Sequence, residues 1–92
     1  MIECDDTACR IVGEITLANA ATLLAELKPH IANKLPLLDF SGVEQGDSTV
    51  LALILSCKRE AAQYQYPLRF SGFPASVITL ADLYGVNPLL QA

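Results

Sequence analysis

The sequence predicts an α/β fold, a mixed β-sheet with helices packed against it, and three observations lead there. Short apolar runs bounded by turn residues alternate with helical stripes from one end of the chain to the other. No repeat, low-complexity stretch or linker interrupts them, so residues 1–92 read as a single domain. The order of strands and helices calls for crossover connections, which parallel strands require and which bring helices onto the sheet.

The elements follow in order. Ile2 to Cys4 and Ala8 to Val12 flank Asp5-Asp6-Thr7, whose short polar side chains suit a tight turn, so the two runs read as a β-hairpin. From Leu17 the apolar positions Leu17, Ala20, Ala21, Leu24, Leu27 and Ile31 make a helical stripe that Thr16 is placed to cap. Pro29 is expected to kink or end that helix. Leu35 to Phe40 reads as a buried strand closed by Ser41-Gly42. A second helix is expected from near Ser48 to about Tyr64, with polar residues appearing only after its second turn. A helix start that is apolar all round is either covered by its own domain or left bare for another protein. Leu68 to Ser71 supplies a further strand, and Ser76 to Tyr84 a last helix that stops at Gly85.

Composition narrows the function. A formal charge of -4, with Lys58-Arg59 as the one adjacent basic pair, argues against nucleic-acid binding and against direct docking on an anionic membrane. Charged residues are 17% of the chain, few for so small a domain, which favours an exposed apolar patch and a protein partner. The N-terminus carries no signal-peptide pattern, and the longest apolar run, Val50 to Leu55, is far too short to span a bilayer. A cytoplasmic protein is expected. Cys4, Cys9 and Cys57 form an odd set without Cys-x-x-Cys spacing and read as reduced thiols acting as small hydrophobes, with no metal site.

Catalytic constellations are sparse. No phosphate-cradling glycine loop can be drawn through the five glycines, and no cofactor is implied. His30, the single histidine, stands beside Pro29 at a helix end and reads as a surface residue; Cys57 lies mid-helix, where thiols are inert. Asp39 and Asp47 both fall near strand and helix ends and can be imagined as a paired acid or metal site, but their simpler roles are electrostatic, at a loop and a helix start. The richest stretch is LLDFSGVEQGDSTV. It places Asp47, Ser48 and Thr49 at a helix start, where unpaired N–H groups and a positive dipole end suit a cap, a phosphate or an interface hydrogen bond.

An apolar strand, then Asp39-Phe40-Ser41-x-Val43, then Asp47-Ser48 at a helix start resembles the STAS domain, and the resemblance is tightest from Leu37 to Leu55. The stretch from Val77 to Val86 is similar to the C-terminal helix of one branch, the MlaB-type small STAS subunit of the Mla phospholipid-transport ABC system. The resemblance implies a non-catalytic subunit that binds the cytosolic ATPase of a transporter maintaining outer-membrane lipid asymmetry, and meets the inner membrane only through that partner. By position it makes Ser48 the hydroxyl set against the ATPase, with Asp47 before it, Thr49 after it and Leu51 adding apolar area. In the other branch, anti-sigma factor antagonists, the same position is the serine phosphorylated by the anti-sigma factor kinase. STAS domains usually carry glycine two residues after this hydroxyl; here Val50 adds a branched side chain where a kinase would approach, which favours docking over phosphorylation.

Overall fold

Asp5 organises the first turn. Its Oδ1 accepts from Thr7 N (2.7 Å), Thr7 Oγ1 (2.8 Å) and Ala8 N (2.9 Å), and these bonds hold its carboxyl below the usual range. The computed structural model describes residues 2–44, 48–86 and 88. Around the Asp5 turn, β1 (Ile2–Cys4) pairs antiparallel with β2 (Cys9–Gly13), in the expected hairpin. β3 (Leu37–Val43) and β4 (Arg69–Ser71) add in parallel, giving the order β1-β2-β3-β4. The sheet is therefore mixed, as the element order required.

The cysteine reading needs correcting. The hairpin register sets Cys4 directly opposite Cys9, with Cα atoms 4.0 Å apart, and the two form a disulfide. The second strand starts at Cys9 and not at Ala8, and that one-residue difference in register is what brings the two thiols together. Cys57 is the one that remains a buried free thiol.

Cys9, Ile11, Leu38, Phe40 and Phe70 are buried, whereas Arg10, Ser41 and Arg69 between them are exposed. One face of the sheet thus carries the core and the other stays polar, with Arg10 Nε on Ser41 Oγ at 3.3 Å. Between Arg10 and Val12 the pairing of β2 with β3 slips, so Phe40 and Ser41 together face Ile11. The slip changes the phase of β3, which is why Val43 and not Gly42 turns inward.

Helices α1 (Leu17–Ala32), α2 (Ser48–Gln63) and α3 (Ala75–Leu83) cover the apolar face, with α2 packed between the other two. Thr16 caps α1 as expected, in a reciprocal box in which Asn19 fills the place usually held by Glu or Gln. Pro29 does not end α1, which continues to Ala32 because Ile31 is fully buried in line with Leu23 and Leu27. The buried stripe is rotated from the expected one, leaving Leu17 and Ala21 outside. The real stop comes later. Lys34 takes φ 60, Lys34 N bonds to Ile31 O and Leu35 N to His30 O, a Schellman ending built without glycine. α3 ends in the same way at Gly85 (φ 69), where the residue type matches the need.

Gly42 marks a close contact between strands, since a Cβ there would lie 2.7 Å from the Ile11 carbonyl oxygen and 3.2 Å from Val12 Cγ2. Gly42→Ala is expected to lower stability by about 1–3 kcal/mol, measured by urea unfolding at constant m-value.

Candidate functional site at the carboxyl end of the parallel strands

Because β2 and β3 are parallel, both leave the sheet at the same end, and Glu44 N donates to Gly13 O (3.1 Å) to tie their exits together. The chain re-enters the domain there as α1 and as α2, so two helix starts share one edge. Clefts outside the carboxyl ends of such strands are where α/β folds present binding groups.

Ser48 is the first residue of α2 and its side chain is exposed, while Thr49 is half-buried. A helix start in general offers amides that its own turns do not use, and its dipole presents positive potential there. The site therefore combines a hydroxyl donor and acceptor with an environment that favours an acidic or acceptor group. Gly46 and Asp47, which the sequence placed in the same turn, lie outside the described residues.

Two residues take positions the sequence did not foresee. Val50 is 0% exposed and belongs to the core, so its branched side chain does not stand in the path of a partner. Leu51 is packed into the same core with 7% exposed, and the apolar area it offers at the surface is small. The apolar first turns of α2 are covered by their own domain: Val50, Leu51, Leu53 and Ile54 are all buried. Exposed apolar surface is found instead at Leu17 (86%), at the same end of the sheet as the α2 start, and at Ile78, Leu83 and Tyr84 on α3 and its C-cap. Leu17 belongs to the apolar stripe of the sequence, yet its place in the first turn after Thr16 leaves it exposed.

The other candidate groups are occupied or distant. Asp39 accepts from Ser41 N (2.8 Å) and Ser41 Oγ (3.0 Å) on the polar face of β3. His30 sits near the end of α1, at the opposite end of the sheet from Ser48. Cys57 is buried on α2, and burial together with the nearby Glu60 pushes its thiol up to about 12. A thiol so placed is neutral and unreactive.

A family model described as "Mlab, STAS domain" matches residues 3–91. The chain belongs to the MlaB-type STAS domain family. Among solved structures, the anti-sigma factor antagonist SpoIIAA in its unphosphorylated form is similar at TM-score 0.73, with 17% sequence identity over 97% of this chain and 83% of that one. At that identity the likeness shows the fold: a STAS fold, with four strands and three helices among the described residues. No curated protein matches. STAS domains are in general regulatory and binding domains, in keeping with a protein partner.

The buried Cys57 makes a pH prediction for this STAS domain. A folded-state value of about 12 against an ordinary 9.0 means that the unfolded chain loses its proton first. Stability from this group is complete below about pH 9 and falls as pH rises towards 12, with a limiting slope near 1.4 kcal/mol per pH unit. Urea unfolding of the wild type and Cys57→Ala at about pH 8 and about pH 11 should show the wild type losing on the order of 2–3 kcal/mol more.

Proposed function

We propose that this STAS domain is a non-catalytic subunit that binds and supports the cytosolic ATPase of a phospholipid-transport ABC system of the Mla type, which maintains outer-membrane lipid asymmetry. The observation that carries the reading is the match of residues 3–91 to the MlaB-type family. In this reading the start of α2 is the contact: Ser48 and Thr49 exchange hydrogen bonds with the ATPase, Asp47 adds charge beside them, and Leu51 supports the turn with a little apolar area. Leu17, exposed at the same end, adds the apolar surface that Leu51 mostly withholds. No helix among the described residues is long and apolar enough to cross a membrane, and the domain meets the inner membrane through its partner, from the cytoplasm.

A second reading, an anti-sigma factor antagonist switched by a serine kinase at Ser48, is favoured by one observation. Ser48 is exposed at a helix start where an added phosphate would meet the positive dipole end, and the buried Val50 leaves the approach open.

Ser48→Asp separates the two. An acidic residue in the first turn suits the helix dipole, so the fold is retained. In the docking reading the added charge enters a desolvated contact and weakens ATPase binding by about 2 kcal/mol, roughly 30-fold in Kd. Unchanged co-purification with the ATPase overturns that reading. In the switch reading, wild-type protein incubated with ATP and the anti-sigma kinase gains one phosphate by intact mass, and Ser48→Ala does not. A mass that stays put rejects the switch.

A further inference from the structure

The end of the sheet away from Ser48 gathers a different kind of chemistry. Cys4 and Cys9 meet across the hairpin, and a ring nitrogen of His30 joins them, so that the two sulfurs and the nitrogen all lie within 4.8 Å of one another. These are two of the three cysteines and the single histidine of the chain. Their backbone positions are fixed independently of the sulfur–sulfur bond. The hairpin is held by its Ile2–Ile11 pairing and by the Asp5 turn, and His30 by the Schellman ending that uses its carbonyl. Cys9 is fully buried, whereas Cys4 is exposed. His30 also lines a depression of about 280 Å³ together with Asp6, Asn33 and Lys34, so solvent reaches His30 from that side, while Cys4 is exposed on its own account.

We propose that reduction of the Cys4–Cys9 disulfide turns this cluster into a zinc site, with Cys4, Cys9 and His30 as ligands and water from the depression in the fourth position. Tetrahedral zinc with thiolate bonds near 2.3 Å and an imidazole bond near 2.0 Å sets its ligand atoms about 3.4–3.8 Å apart, a spacing that the cluster reaches by parting the sulfurs and turning His30. Two thiolates and an imidazole suit a borderline cation and not calcium or magnesium, which take oxygen ligands. The disulfide form offers no thiolate, so the site exists in one oxidation state.

The electron balance needs a dithiol reductant of the thioredoxin class. Its thiolate attacks the accessible Cys4 sulfur, the Sγ–Sγ bond breaks, and Cys9 leaves as thiolate; the reductant's second thiol then releases Cys4 and closes the reductant's own disulfide. Two electrons and two protons pass to the protein. Zinc binding returns two protons to solvent, one from each thiol.

The test is a calorimetric titration of zinc chloride into the full chain without a polyhistidine tag, either oxidised or reduced with a phosphine. Reduced protein should bind one zinc per chain with Kd below about 1 μM, and oxidised protein should bind at least about 100-fold more weakly. Cys4→Ser, at an exposed position, and His30→Ala should each weaken binding at least about tenfold while circular dichroism reports an unchanged fold. Cobalt substituted for zinc should show thiolate-to-metal charge transfer in the reduced wild type and lose it on oxidation. Absent binding by the reduced chain, equal binding by both forms, or wild-type affinity in folded Cys4→Ser would each overturn the proposal.

Discussion

The parallel pairing of β3 with β2 on one side and β4 on the other is the constraint on which this molecule depends. Parallel neighbours cannot be joined by a tight turn, so the chain must run back along a helix before each new strand. Every return starts at the carboxyl ends of the strands and finishes at their amino ends. Ser48 and Leu17 are therefore placed together by topology, although they are 31 positions apart by their numbers. The same rule sends the end of α1, with His30, to the edge where the hairpin turns.

Local chemistry was legible in the sequence, and long-range consequences were not. Thr16 announced the start of α1 because a cap is formed by residues three apart, and Gly85 announced the end of α3 because it meets a left-handed position that glycine occupies without strain. Pro29 misled because local propensity was outweighed by burial of Ile31 two residues later. Lys34 in a left-handed conformation gave no signal at all, since the residue type usual there is absent. Ser41-Gly42 looked like the close of a strand, yet β3 runs on to Val43, where pairing with Gly13 outweighs the local turn preference.

The candidate site divides along the same line. Placing Ser48 at the start of a helix needed only the loop before it and the apolar run after it. Which sides of that run are covered depends on α1 and α3 flanking α2, which the sequence leaves open; with both in place Val50 and Leu51 are buried, and the apolar area Leu51 offers a contact is small. The disulfide is a milder failure. A turn of Asp5-Asp6-Thr7 alone sets Cys4 opposite Ala8; the actual turn also takes in Ala8, whose carbonyl accepts from Asp5 N, and this one-residue difference brings Cys9 opposite Cys4.

The two outermost strands, β1 and β4, are three residues each. Each therefore presents a ladder of about 10 Å, too little to template another chain. Assembly by sharing a sheet, the usual hazard of an α/β domain with open edges, is disfavoured by this brevity. Helices and loops remain the surfaces through which the domain can be recruited, and its own copies gain little from pairing edge to edge in a crowded solution.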